Sequence, residues 1–318
     1  MPFEPKRFIE EKTKEAKKII GDKRALVALS GGVDSSVCAM IVHKAIGKNL
    51  HPLFVDTGLM RKNEAKKVKE IFQNLGLEVI ILEKQRIFLK ALKNITDPEK
   101  KRRIIGKLFI EIFEEYAKKN NISFLVQGTI APDWIESGGG GRDTIKSHHN
   151  VGGLPKKINL KLYEPLRDCY KHEVRQLAKE LNLPPEIYNR QPFPGPGLAV
   201  RIIGKITEEK IKILQECTAI LEEEILNAAK EGQIKLPWQY FAVLLDSKAV
   251  GVKGDERSYG YIIAIRAVDS LDGMTANFSK IPHQILEKIS TTITAKISQV
   301  NRVVYDITNK PPGTIEYE

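Results

Sequence analysis

Residues 25–36 read ALVALSGGVDSS, an apolar run that passes through two glycines into a series of hydroxyl and carboxylate side chains. The run Ala25–Leu29 predicts a short buried strand, and the apolar residues that follow Gly32 predict a helix over Val33–Ala45. A turn of this kind points backbone N–H groups and a helix N-terminus at one place, which favours an anion. The stretch therefore predicts a strand–loop–helix unit whose loop holds a phosphate group.

The loop differs from the better known phosphate-binding patterns. It lacks the lysine of GxxxxGKS/T, and its glycines are not spaced as in GxGxxG. Its glycines let the backbone approach a phosphate closely, while Ser30, Ser35 and Ser36 supply hydroxyl donors. The alternative is a plain strand–helix turn in which Asp34 only caps the helix. We favour a phosphate site because four hydroxyl or carboxylate groups are concentrated in one turn.

Short apolar segments alternate with helical patterns on both sides of this loop. A highly charged amphipathic helix is predicted over residues 5–20, ahead of the first strand. Further strands are predicted at His51–Val55, Glu78–Leu82 and Ile122–Gln127, and further helices at Asn63–Leu75, Pro98–Lys119 and Tyr170–Leu181. This alternation indicates an α/β fold with a doubly wound parallel sheet, in which ligands bind at the carboxyl ends of the strands.

A stretch rich in Pro and Gly, QPFPGPGLAVR at residues 191–201, marks a predicted domain junction. The 318 residues suit two domains, which we expect at residues 1–195 and 196–318. Beyond the junction, strands are predicted at Tyr240–Leu245, Tyr259–Val268 and Arg302–Ile307, and helices at Glu208–Lys230 and Pro282–Ile297. This different pattern indicates a smaller α+β domain.

Composition and charge exclude several classes of protein. The longest apolar runs have six residues and the N-terminal residues contain no apolar segment, so we expect neither a membrane span nor a secretory signal. Three scattered cysteines exclude a disulfide framework, and the cytoplasm is the expected location. The net charge of +11 suits an anionic ligand. The lysines are nevertheless spread along helices and aromatic residues make up only 7%, which argues against a nucleic-acid-binding protein.

Residues 137–157, SGGGGRDTIKSHHNVGGLPKK, break the alternation of strands and helices. A segment of this length and glycine content within a compact domain is typical of a functional lid or of a disordered loop. It contains His148 and His149, but adjacent loop side chains diverge and no further ligands are spaced around them. We therefore exclude a zinc site.

The loop SGGVDSS resembles the pyrophosphatase loop of the ATP-pyrophosphatases, enzymes that split ATP between its α- and β-phosphates and adenylate a substrate. The implied fold is the adenine nucleotide alpha hydrolase-like sheet. The resemblance implies that ATP binds to the residues of the loop, which are Ser30, Gly31, Gly32, Val33, Asp34, Ser35 and Ser36. It also implies a catalytic Asp34 close to Mg²⁺ and a position near the adenine for Val55. For Val55, an ordinary place in the core is the equal alternative.

Eight blocks of the chain resemble the synthetase portion of GMP synthetase, in the order that this family has. They are VDTGLMRKNE (55–64), TDPEKKRRIIG (96–106), QGTIAPDWIESG (127–138), IKSHHNVGGLP (145–155), EPLRDCYKHEVRQLA (164–178), RQPFPGPGLAVR (190–201), residues 251–276 and RVVYDITNKPPGTIEYE (302–318). The resemblance implies a ligase that adenylates xanthosine 5′-monophosphate (XMP) with ATP and Mg²⁺ and then aminates it to GMP, releasing AMP and pyrophosphate. The alternative is another adenylating ligase with a pyrophosphatase loop.

The same resemblance implies which residues bind XMP. They are Arg102, Arg201, Lys310, Ile315 and Glu316, with Lys253 as a weaker candidate. Arginine and lysine are the donors that a nucleotide phosphate requires. For Arg102, pairing with acids on its own helix is the equal alternative. Lys146 matches the family's mobile lid lysine and is the second catalytic candidate, with a solvated loop lysine as the alternative. Asp133 and Glu136 could contact the base or the metal, and charge at a helix N-terminus is the equal alternative for both.

The partners follow from the same family. Members dimerise through the C-terminal region, and the apolar strands Tyr240–Leu245 and Tyr259–Val268 suggest a homodimer. Many members carry a glutamine amidotransferase domain ahead of the synthetase portion, but here the loop begins at residue 30. We therefore expect a separate glutamine amidotransferase subunit to supply the ammonia, and neither nucleic acid nor a membrane as a partner.

Overall fold

The computed structural model describes residues 3–131, 160–271 and 273–318. Its contacts divide the chain into two compact units. The first consists of Met1–Thr57, Asn63–Gln85 and Arg102–Gly195, and the second of Gly58–Lys62, Arg86–Lys101 and Pro196–Glu318. Two short segments from the N-terminal half thus belong to the second unit. One of them is held there by a hydrogen bond from Leu198 N to Leu59 O at 2.7 Å and by an ion pair between Arg61 and Glu222 at 2.8 Å.

The first unit contains a parallel sheet, as the sequence predicted, and this sheet has five strands. Its strands are β1 (Arg24–Ala28), β2 (Leu50–Asp56), β3 (Ile80–Glu83), β4 (Ile122–Val126) and β5 (Lys161–Tyr163), in the order β3-β2-β1-β4-β5. The central strand is β1, and Leu26 on it packs against Leu53 of β2 and Leu125 of β4. The pattern of the sequence did not predict β5, because this strand has only three residues and only Tyr163 is buried.

Helices connect the strands. They are α1 (Pro5–Ile20), α2 (Val33–Ile46), α3 (Glu64–Asn74), α4 (Gln85–Leu92), α5 (Pro98–Lys119), α6 (Lys171–Glu180) and α7 (Pro185–Tyr188), with a 3₁₀ turn at Gly47–Asn49. The first ten residues of helix α2 are almost all buried, since Val33 and every residue from Ser35 to Val42 are buried. The sequence did not predict α4, in which only Phe88 and Leu92 are buried. Two buried residues one turn apart give a weak helical pattern.

The second unit combines a sheet with two long helices, and it also contains residues 86–92 of α4 and the first residues of α5. Its other elements are a 3₁₀ helix (Gly197–Arg201), α8 (Glu208–Lys230), β6 (Gln239–Lys253), β7 (Glu256–Asp269), β8 (Asn277–Phe278), α9 (His283–Lys296) and β9 (Val300–Asp306). Strand β7 pairs antiparallel with β6 and β8 and parallel with β9. Among the helices that the structure describes, none has both the length and the apolar character of a membrane span.

The hairpin of β6 and β7 is longer than the sequence predicted. Beyond a register shift between Leu244 and Lys248, the strands continue to Lys253 and Glu256. Gly254 and Asp255 have φ values of +56° and +64°, the conformation of a two-residue hairpin turn. In the outer half of the hairpin, residues 246–260, glycines and charged residues interrupt a few apolar ones, which weakens the alternation by which strands are predicted.

Candidate functional site

The loop Ser30–Ser36 lies at the carboxyl end of β1, the central strand of the sheet. Strands β2 and β4 flank β1, so the chain order of the sheet reverses at this point. In open α/β sheets such a position forms the crevice that receives a ligand. The loop also ends in the first residues of α2, whose N–H groups have no partner within the helix. The site that the sequence predicted therefore has the backbone geometry of an anion site.

Serine hydroxyls connect the two ends of the loop. The Oγ atoms of Ser30 and Ser35 lie 3.1 Å apart, and the backbone N–H of Ser30 donates to Ser35 Oγ at 3.2 Å. Ser36 Oγ donates to the carbonyl of Gly32 at 2.7 Å. Ser35 and Ser36 are buried, whereas Ser30 is exposed. These bonds hold the loop in one conformation and leave Ser30 as the serine that can contact a ligand.

Two glycines allow other parts of the first unit to approach the loop. Gly31 has a φ of +76°, which other residues adopt at a cost, and a Cβ there would lie 2.9 Å from Arg190 Nη1. Gly128 follows β4, and a Cβ there would lie 3.0 Å from Ser35 N. The space that a side chain would take at Gly128 is therefore occupied by the start of α2. Gly128 stands in the block 127–138, but no pattern in the sequence singles it out.

Asp34 is half-buried and has one strong partner. Its Oδ2 lies 2.6 Å from Nζ of Lys171, the first residue of α6. Its Oδ1 is buried and has no hydrogen-bond donor within the part of the chain that the structure describes. A buried carboxylate oxygen without a donor is a suitable ligand for a hard cation such as Mg²⁺. Lys171 was not predicted, because its pairing depends on the meeting of segments 137 residues apart.

Cys38 lies behind the loop and takes no direct part in it. The residue is fully buried in α2, and its Sγ donates to the carbonyl of Gln127 at 3.6 Å. Burial, with the nearby charge of Asp34, raises the pKa of the Cys38 thiol well above its usual value. The thiol therefore stays protonated and is not a nucleophile.

Val55, near the end of β2, is 5% exposed, so it packs as a core residue in this structure. The neighbouring Asp56 accepts a hydrogen bond from Gln85 Nε2 at 2.8 Å. The predicted contact between Val55 and adenine stays a prediction.

Three of the predicted XMP residues lie close together in the second unit. Arg201 is fully buried and binds Glu316 through two hydrogen bonds of 2.9 and 2.6 Å. Its guanidinium stacks over Phe241 with 4.0 Å between Cζ and the ring centre. Gln239, which the sequence did not single out, donates to the same carboxylate at 2.9 Å. Ile315 packs against the core that contains Phe241.

A second buried cation, Lys101, holds the end of the tail (residues 308–318). Its Nζ donates to the carbonyls of Ala199 and Ile202 at 3.3 and 2.8 Å and forms an ion pair with Glu318. Desolvation lowers the pKa of Lys101, and the charge of Glu318 opposes this effect only in part. We refer to Arg201, Gln239, Glu316, Lys101 and Glu318 as the tail cluster.

The tail is also bound further upstream. Arg266 is buried and donates to the carbonyls of Thr308 and Thr314, the latter at 3.0 Å. Lys310 exchanges two backbone hydrogen bonds with Ala276, and its Nζ donates to the carbonyl of Gly273 at 2.7 Å. In this structure Lys310 is therefore an anchor of the tail.

Of the remaining predicted residues, only Arg102 has a side chain that the structure describes. Arg102 is half-buried on α5, within the segment that belongs to the first unit. The side chain of Lys253, and the residues Asp133, Glu136, Lys146, His148 and His149, lie outside what the structure describes. Across the described residues, no three His, Cys, Asp or Glu side chains are grouped as metal ligands.

Two family models match the chain. The model described as "Queuosine biosynthesis protein QueC" matches residues 24–189, which include the loop Ser30–Ser36. The model described as "GMP synthase C terminal domain" matches residues 223–317, which include most of the second unit and the tail. Residues 190–222 lie between the two matches.

Relatives match the chain almost from end to end. The chain is 58% identical over 313 residues to a subunit of GMP synthase (glutamine-hydrolyzing) from Pyrococcus horikoshii, covering 98% of this chain and 99% of that protein. It is 57% identical over 317 residues to the protein of the same description from Methanocaldococcus jannaschii, covering 99% and 100%. A GMP synthase (glutamine-hydrolyzing) from Thermotoga petrophila is 55% identical over 314 residues, but these make up only 62% of that longer protein.

Proposed function

The chain belongs to a family of GMP synthase (glutamine-hydrolyzing) subunits, and from this premise we propose that it is the ligase that converts XMP to GMP with ATP and ammonia. In the first step, the 2-position oxygen of XMP attacks the α-phosphate of ATP and pyrophosphate leaves. In the second, ammonia displaces AMP from the adenylated base. The observation that carries the proposal is the near-complete match at 57–58% identity to proteins of that description.

We place the phosphates of ATP at Ser30–Ser36. Phosphoryl transfer depends on positioning and on neutralisation of charge, and this loop offers N–H groups, the hydroxyl of Ser30 and the start of α2 for both. Asp34 is the residue that fits Mg²⁺, because its buried Oδ1 has no donor among the described residues. Mg²⁺ would neutralise phosphate charge there. Lys171 could then separate from Asp34 and contact phosphate oxygens.

We place XMP at the tail cluster, together with Lys310 and Ile315. Two features support this. Arg201 is a rigid donor, since it is stacked on Phe241 and bound by Glu316, and a rigid fork suits a phosphate. The carboxylate of Glu316 could in addition accept N–H groups of the base. The roles of Arg102, Lys146, Asp133 and Glu136 stay predictions.

The decisive experiment follows the products of the reaction. With XMP, ATP, Mg²⁺ and ammonium, we expect GMP, AMP and pyrophosphate in equal amounts, and no pyrophosphate when XMP is left out. Pyrophosphate release that does not depend on XMP would favour the alternative of another adenylating ligase.

The nitrogen source gives a second measurement. We propose that this chain uses free ammonia and that a separate glutamine amidotransferase subunit supplies it from glutamine. With ammonia removed, glutamine should support GMP synthesis only after that subunit has been added. Robust synthesis from glutamine by this chain alone would contradict the division of labour.

We also propose a cytoplasmic homodimer, but with a different interface from the one that the sequence suggested. Residues 240–244 are buried within the chain itself, so they are not available to a partner. The outer hairpin instead exposes Val250, Val252 and Tyr259, which are 59%, 72% and 68% accessible. Val250 and Tyr259 are directly opposite each other, so they form one apolar surface. Sedimentation should give twice the mass of 35.8 kDa, and Val252→Glu should reduce it to the monomer mass.

A further inference from the structure

A buried ion pair lies directly behind the phosphate loop. Nη2 of Arg190 is 2.5 Å from Oε2 of Glu64, and Nη1 of Arg190 donates to the carbonyl of Gly31 at 3.2 Å. The side chain of Glu64 is 3% exposed and that of Arg190 is 23% exposed. Glu64 is the first residue of α3, and Arg190 follows α7. Two segments distant in sequence therefore converge on one peptide group of the loop.

The orientation of that peptide group matters for an anion. A trans peptide points its C=O and its N–H in opposite directions. Since the carbonyl of Gly31 faces Arg190, the N–H of Gly32 points the other way, where it donates to Ser30 Oγ at 3.3 Å on the side of the exposed serine. A peptide between two glycines can rotate at little steric cost. The rotated form would present a carbonyl oxygen to the anion in place of an N–H.

We propose that Arg190, held by Glu64, is a positioning residue that locks the Gly31–Gly32 peptide with its N–H toward the phosphates of ATP. The proposal rests on the proposed function, in which this loop binds those phosphates. Arginine suits the task because its planar fork can reach a carboxylate and a carbonyl at once, whereas lysine is a point charge. The negative charge of Glu64 keeps the guanidinium in place and has no donor role of its own.

The test is a titration with an ATP analogue that cannot be split between its α- and β-phosphates, in the presence of Mg²⁺. Arg190→Gln should weaken binding of the analogue about 10- to 100-fold, the range for a lost hydrogen bond to a charged group. Arg190→Lys should recover part of the loss, and Glu64→Gln should fall between wild type and Arg190→Gln. In turnover, KM for ATP should rise more than kcat falls, while KM for XMP changes little.

Arg24→Gln is the matched control. Arg24 also donates to a backbone carbonyl, that of Asn120 at 3.0 Å, but at the opposite end of β1. It should leave affinity for the analogue unchanged. The melting temperature of each variant separates loss of fold from loss of the lock, and Glu64→Gln serves if Arg190→Gln does not fold. If folded Arg190 and Glu64 variants bind the analogue with wild-type affinity, the positioning role of Arg190 is wrong and the proposed function stands. If the wild-type protein fails to bind the analogue, both the proposed function and the positioning role are wrong.

Discussion

The loop Ser30–Ser36 and the tail cluster are built in opposite ways. The loop, Ser30–Ser36, consists of seven consecutive residues that offer backbone groups and short hydroxyls. The tail cluster consists of long side chains from segments 77 to 217 residues apart, and its cations are already bound to carboxylates. The loop presents an exposed serine hydroxyl beside a helix N-terminus, while the cluster presents charges that its own residues neutralise.

The difference bears on what each region contributes. Backbone donors that glycines and serines hold in place need little reorganisation when a phosphate binds. Such preorganised donors suit a site where negative charge develops in the transition state. Buried ion pairs cost desolvation energy and are retained where they fix a geometry. We therefore expect changes in the loop to affect chemistry with little effect on stability, and changes in the cluster to affect stability and XMP binding.

The largest effect should come from the loop. Asp34→Asn removes one charge without changing the volume, and we expect pyrophosphate release to fall by about 10³-fold, because charge neutralisation at the phosphates is lost. Melting temperature and affinity for XMP should remain close to wild type. Pyrophosphate assays and calorimetry measure the three quantities.

Asp22→Asn is the control, because Asp22 is exposed and precedes β1 at the other end of the sheet. A folded Asp34→Asn protein with a normal rate would remove the basis for treating the loop as the reaction site.

The next largest effect should be on stability. Lys101→Met removes the buried cation that pairs with the nearly buried carboxylate of Glu318, and we expect the free energy of unfolding in urea to fall by about 3 kcal/mol. Adding Glu318→Gln should recover part of the loss, since the remaining group is then neutral. Lys100→Met, on the exposed neighbour, is the control. Equal stability of the two lysine variants would show that the buried pair does not hold the tail.

The strand–loop–helix form of Ser30–Ser36 could be predicted from sequence because the hydrogen bonds among its serines and Gly32 are local. Ser30 and Ser35 are close in space because a strand, two glycines and a helix follow one another. The residues that support the loop from outside, such as Lys171 and Arg190, could not be predicted, since each depends on the meeting of distant segments. In the sequence, Lys171 is one of many lysines near a helix start.

The tail cluster could be predicted even less, because all of its contacts join segments that are distant in sequence. The resemblance singled out Arg201 and Glu316 separately, but nothing in the sequence indicated that they bind each other across 115 residues. Lys101 stands in the charged run EKKRR, which is typical of a solvated helix face. Its burial depends on the carbonyls of Ala199 and Ile202, and no local pattern encodes that.

A smaller effect tests whether the cluster binds XMP. Glu316→Gln keeps the tail packed but removes the charge that orients Arg201, and we expect affinity for XMP to fall about 10-fold or more, with affinity for ATP unchanged. Glu208→Gln, an exposed residue at the start of α8, is the control. Tighter binding of XMP by Glu316→Gln would instead mean that Glu316 competes with the nucleotide phosphate for Arg201.

The smallest effect concerns pH and isolates Lys101. Its pKa in the folded protein is lowered by desolvation, despite the opposing charge of Glu318, from an ordinary value of 10.5. Between the two values the unfolded chain binds more protons than the folded one, so this group makes the free energy of unfolding rise with pH up to 10.5 and then level off.

Tyr240 and Tyr305 act in the opposite direction, because burial raises the pKa of each above the usual 10.0. The pH dependence of the free energy of unfolding of wild type therefore does not isolate the contribution of Lys101. The difference in this free energy between wild type and Lys101→Met does isolate it, because both proteins contain the tyrosines. That difference, measured by urea unfolding between pH about 8 and 10.5, should shift in favour of wild type as pH rises. A difference independent of pH would mean that Lys101 keeps an ordinary pKa and that its burial costs the folded protein nothing.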